Sequence, residues 1–174
     1  MLDVSVAYNR YKFLGHEFLT WLWFVMDVDP ACMLKAESDM VSLEVDNRIV
    51  LEKSFDNRIE NIRIKGDEAG FEEAKLSLKK GGVVTELNFS LKIGDHEWKF
   101  NIKGESLNIS SLKSPETGKI EKKEDIEGAV IEKIYLYEKV VLLVENLYKQ
   151  FVRIRISSKW ENETIPLIKK WIKS

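Results

Sequence analysis

The feature that most constrains this chain is a run of apolar residues near its end. Ile126, Val130, Ile134, Tyr137, Val141, Val144, Tyr148 and Phe151 step by three or four residues. That spacing keeps one stripe on one side of an α-helix for about seven turns. Leu136, Val140, Leu143 and Leu147 widen the stripe. At 1.5 Å per residue the helix, starting near Asp125, would be roughly 40 Å long. A stripe of that length must be covered. It can back a whole sheet, or it can form a dimer seam.

The material for a sheet lies upstream. Val41, Leu43 and Val45 alternate with polar residues, Asp46-Asn47 reads as a turn, and Ile49 and Leu51 resume the alternation. Ile62 and Ile64 suggest a third strand. Leu87, Phe89, Leu91 and Ile93 share one strand face, and Trp98, Phe100 and Ile102 share another. Gly94-Asp95 or Asp95-His96 joins the two as a hairpin. Leu107 and Ile109 extend the sheet before Ser114-Pro115. Three helices complete the expected set. One spans roughly Phe13 to Met26, is apolar all round and therefore buried, and is ended by Asp27 and Asp29-Pro30. A short one spans Phe71 to Lys80 and is closed by Gly81-Gly82, although Leu76 and Leu78 also suit a strand. A last one spans about Glu163 to Ile172, with Pro166 in its first turn. Residues 116–124 read as a polar, lysine-rich loop. The expected fold is α+β: one domain over 1–174, an antiparallel sheet with a buried N-terminal helix, a short middle helix and a long C-terminal helix packed on it.

Composition narrows the function class. With 174 residues, 44% hydrophobic and 32% charged, the chain can bury a core without staples. Cys32 is the single cysteine, which excludes an internal disulfide and a multi-cysteine metal site. It reads as a small buried hydrophobe. No secretory leader or membrane-length apolar run is visible, so the cytoplasm is the expected compartment and no membrane partner is expected.

Residues that could carry chemistry are sparse. His16 lies in the apolar first helix and His96 at a turn, with no nucleophile signature beside either. Phosphate-cradling glycine motifs are absent. Glu97-Trp98-Lys99, with Glu86 or Asp67 as an upstream acid, has the spacing of a metal-dependent nuclease. Strand alternation explains the same triplet, with Trp98 inward and its neighbours in solvent. No catalytic residue, metal ligand or cofactor is assigned.

Charge is distributed unevenly. Residues 149–174 carry seven cations against Glu161 and Glu163, a net of +5, so the remainder carries −7 within the overall −2. Arg153, Arg155, Lys159, Lys169, Lys170 and Lys173 are the candidate contacts to nucleic-acid phosphates. Lys79-Lys80, Lys119 and Lys122-Lys123 add cations elsewhere, and Tyr135, Trp160 and Trp171 are aromatics that could stack on bases. Helix C-termini also collect cations for reasons unrelated to ligands.

Several stretches resemble a bacterial family of recombination-associated, RdgC-like proteins. Phe13-Leu14-Gly15-His16-Glu17-Phe18-Leu19-Thr20-Trp21-Leu22-Trp23-Phe24 is similar to a segment of that family, in which the position of His16 is often Arg. Gly66-Asp67-Glu68-Ala69 before the element Glu72 to Leu78, Trp98-Lys99-Phe100, Leu107 to Pro115, and Arg153-Ile154-Arg155-Ile156-Ser157 with Trp160-Glu161 follow in the family's order. The resemblance implies a non-enzymatic accessory role in DNA recombination, with duplex binding that ignores sequence and a homo-oligomeric assembly. It transfers no catalytic residue, although an exonuclease label sometimes follows the family. The longer RdgC proteins form a ring-like dimer with a basic hole. This chain is shorter and mildly acidic. Two competing readings stand beside it: a protein-interaction or assembly module without DNA binding, and a divergent nuclease using Glu97 and Lys99.

Overall fold

A computed structural model describes residues 4–29, 41–55, 58–66, 68–118, 122–123 and 125–174, with side chains described from residue 13 onward apart from 54, 55, 58 and 68–70. Pro30, Cys32, Asp67 and Lys119 lie outside the described residues or their described side chains. The elements follow in the order α1 (Val4–Val28), β1 (Val41–Phe55), β2 (Arg58–Lys65), α2 (Glu68–Lys79), β3 (Val83–Ile93), β4 (His96–Lys103), β5 (Asn108–Lys113), α3 (Asp125–Arg155), a π-helical turn (Trp160–Thr164) and α4 (Ile165–Lys173). The five strands form one sheet in the order β2-β1-β3-β4-β5, and every neighbouring pair is antiparallel. The fold is α+β, as the alternating and helical patterns led one to expect.

One face of the sheet is apolar and carries the helices. Leu43, Ile49 and Leu51 of β1, Val84, Leu87, Phe89 and Leu91 of β3, and Trp98, Phe100 and Ile102 of β4 are buried together there. The opposite face is polar, as in antiparallel sheets with one covered side. It carries ion pairs such as Arg48–Glu86 and Lys99–Asp46. The hairpin between β3 and β4 has a two-residue turn, Gly94-Asp95, in which Gly94 takes φ of 57°.

The aromatic segment of α1 is core. Phe18, Leu19, Trp21, Leu22, Trp23 and Phe24 are all buried. Phe18 and Trp21 pack on Phe151 of α3 at 5.6 and 5.7 Å between ring centres, and Trp23 and Phe24 pack on Trp171 of α4 at 5.0 and 5.7 Å. Burial of such rings supplies the largest apolar areas a side chain can offer. Gly15 lets α1 settle onto the turn after β4. A Cβ at that position would lie 1.7 Å from the carbonyl oxygen of Gly104, so no larger residue fits without backbone movement.

Three expectations from the sequence are corrected. First, Asp46-Asn47 is not a turn between strands. β1 runs through it, and the register slips there: Val45 pairs with Phe89 and Ile49 with Leu87, so β1 spends two more residues than β3. The bulge keeps Leu43, Val45, Ile49 and Leu51 on one face, which is why the alternation survives a polar interruption. Second, α1 begins at Val4 rather than near Phe13, since no proline or glycine precedes Gly15 to stop it. Third, the buried side of α3 is Leu136, Val140, Val144, Leu147 and Phe151. Ile126, Val130, Ile134, Tyr137 and Val141, the first members of the stripe read from sequence, are exposed. The first half of α3 therefore presents apolar side chains to solvent.

Candidate functional site

The six C-terminal cations separate into two groups. Arg155, in the last turn of α3, is held inward. Its Nε donates to Glu17 of α1 at 2.7 Å, and its guanidinium lies 5.3 Å from the centre of the Trp160 ring. It is 30% exposed and ties α1 to the C-terminal segment across 138 residues of sequence. Arg153, Lys159, Lys169, Lys170 and Lys173 are exposed and form no ion pair with the described residues. Lys169, Lys170 and Lys173 fall within about 100° of arc on α4, because 3.6 residues make a turn. Ile168 and Trp171 occupy the opposite, buried side of that helix. The helix is thus amphipathic, with its ammonium groups facing water. Glu161 and Glu163 are exposed on the π-helical turn that precedes it.

The aromatics proposed for base stacking are divided in the same way. Trp160 and Trp171 are 5% exposed and belong to the core. The Trp171 indole donates to Asp27 at 2.6 Å, and Lys75 completes the cluster with Asp27 at 3.0 Å. Tyr135 is half-exposed, with the Lys139 ammonium 5.0 Å from its ring centre.

The residues of the nuclease-like pattern lie on the polar face of the sheet. Trp98 points the other way and donates its indole N–H to the Leu136 carbonyl at 3.0 Å. Glu97 accepts from Ser90 at 3.1 Å, Lys99 reaches Asp46 at 3.6 Å, and Glu86 is bound by Arg48 at 3.0 Å and Asn101 at 2.6 Å. Each carboxylate is thereby engaged with a neighbouring side chain. Among the described residues no three His, Cys, Asp or Glu side chains group closely enough to hold a metal ion. His96 is exposed beside Trp98.

Two features were not anticipated from the sequence. A groove of about 400 Å³ lies between α1, the start of β3 and α4, with Phe13, His16, Val83, Trp160, Ile168 and Lys169 among its walls. It brings Lys169 to the same side of the molecule as the Glu17–Arg155 pair, since Glu17 also lines it. The second feature is the outward side of α3. Ile126, Val130, Ile131, Ile134, Tyr135, Tyr137, Val141 and Leu142 are between 38% and 60% exposed. A signal for this was present: Ile131, Tyr135 and Leu142 fall outside the stripe, so α3 has more apolar residues than one face can use.

No helix among the described residues is long and apolar enough to cross a membrane. No family model, no curated protein and no solved structure matches the chain.

Proposed function

We propose that the chain is a non-enzymatic, DNA-associated accessory protein that contacts duplex phosphates through the solvent-facing cations of its C-terminal segment. The observation that carries this reading is the state of Arg153, Lys159, Lys169, Lys170 and Lys173: exposed, without ion pairs among the described residues, and three of them on one arc of α4. Ammonium groups so placed neutralise backbone phosphates without reading bases. The resemblance of the Phe13–Phe24 segment and the Arg153–Glu161 segment to RdgC-like recombination-associated proteins supports the same reading. Arg155 takes a different part in it. Bonded to Glu17, it fixes the C-terminal segment on α1 and leaves phosphate contact to its neighbours.

A gel-shift titration of labelled duplexes of unrelated sequence tests the proposal. Binding should weaken as salt rises. The triple reversal K169E/K170E/K173E should weaken it for every duplex and reduce the magnitude of the log–log salt slope by about 3, near one unit per lost phosphate contact. Affinity that ignores both salt and the reversal would reject the reading.

A second reading is favoured by the exposed apolar side of α3, which is more than isolated surface residues would need. In that reading the chain is an assembly module, and α3 is the surface through which it joins another protein.

A further inference from the structure

We propose that the groove between α1, the start of β3 and α4 binds a small amphipathic anion, an aliphatic monocarboxylate whose chain lies along the apolar walls and whose carboxylate meets Lys169. The inference stands apart from the DNA reading and the assembly reading and needs neither. Small-ligand sites are concave and mostly apolar, with a few polar groups that fix orientation. At about 400 Å³ the groove falls at the small end of their range of roughly 300–1,000 Å³. Leu78, Val83, Ile165 and Ile168 give it aliphatic surface, and Phe13 and Trp160 give it aromatic surface. Phe13 and Val83 are 44% and 41% exposed. The groove therefore leaves large apolar side chains in water, and an alkyl chain lying between them would cover both.

Charge fixes the class of ligand. Among the described residues, Glu17 is the only carboxylate of the lining and Lys169 the only ammonium. Glu17 accepts from the Arg155 Nε at 2.7 Å and is thereby compensated. Lys169 is exposed and forms no ion pair with the described residues. Thr20 is also committed, since its hydroxyl donates to the His16 carbonyl at 2.9 Å. One uncompensated cation is left beside an apolar wall. A lysine so placed lays its methylenes along the wall and keeps its ammonium at the water boundary. There it can meet one carboxylate in a charge-assisted hydrogen bond. A cationic head group finds no uncompensated carboxylate in the lining. A dianionic one brings a second charge for which the lining has no second ammonium.

Isothermal titration calorimetry of the full chain without DNA, with decanoate as the probe, tests the proposal. One molecule should bind per chain, with a dissociation constant of about 100 μM or tighter for a ligand of this size. Octanoate should bind about tenfold more weakly, because it buries two fewer methylenes. Decanol and decyltrimethylammonium should each bind at least about tenfold more weakly than decanoate, because neither can pair with the ammonium. K169E and V83W change exposed positions and should fold as judged by circular dichroism. K169E should weaken decanoate about tenfold or more and leave decanol within about twofold. V83W sets an indole into the groove and should abolish the binding of both. The double reversal K170E/K173E alters cations outside the lining and should change decanoate affinity by less than about threefold at physiological salt. No saturable binding up to about 1 mM decanoate, tenfold above the expected constant, would overturn the proposal. So would decanoate affinity that V83W leaves unmoved. A loss with K170E/K173E as large as with K169E would also overturn it, since the anion would then be adsorbing to a basic helix rather than entering the groove.

Discussion

The two halves of α3 have similar composition and opposite surroundings. From Val144 to Phe151 the apolar side chains enter the core, where Phe151 touches Phe18, Trp21, Tyr148 and Trp160. From Ile126 to Leu142 most of them face solvent, with Leu136 and Val140 as the buried exceptions. The difference teaches that apolar periodicity fixes a helix without fixing what covers it. At 31 residues α3 is about 46 Å long, and the aromatic cluster of α1 and α4 meets only its second half. The first half is held to the sheet near Leu136, whose carbonyl receives the Trp98 indole.

Substitutions in each half should separate these roles. The largest effect is expected at the buried end. Phe151→Ala removes a fully buried ring from among four aromatic neighbours, so unfolding in denaturant should shift by about 4 kcal/mol. A shift below about 1 kcal/mol would mean that the aromatic cluster is not the core of the molecule. A smaller effect is expected at the junction. Trp98→Phe keeps a ring in place and loses the hydrogen bond to Leu136, which should cost about 1–2 kcal/mol. Amide exchange over the first half of α3 should quicken more than over the second. Equal quickening along the whole helix would show that this bond does not anchor the first half.

Much of the fold was legible in the sequence. The hairpin of β3 and β4 follows from two alternating runs joined by Gly94-Asp95. The burial of α1 follows from a segment too apolar to face water. The bulge in β1 was not legible, because Asp46-Asn47 has turn chemistry and only pairing with Phe89 and Leu87 reveals that the strand continues. For α3 the helix was readable and the covered side was not. The choice between Ile134 and Leu136 as the inward residue depends on where Trp98 lies, since its indole donates to the Leu136 carbonyl. The candidate site was readable as charge alone. That Arg155 is bound to Glu17 while Lys169, Lys170 and Lys173 face water depends on contacts between α1 and the C-terminal segment, which leave no local signal.

The division of α3 into a covered and an exposed part is the central structural claim, and a matched pair of truncations tests it most directly. Val141 is 51% exposed and Val144 is 8% exposed, one turn apart on the same helix. In dilute protein, below the midpoint of any self-association, Val144→Ala should lower unfolding free energy by about 2 kcal/mol, from lost methyl burial and the cavity left behind. Val141→Ala should change it by less than about 0.5 kcal/mol, as exposed substitutions do. Equal losses at the two positions would contradict the account, because both faces of α3 would then be core.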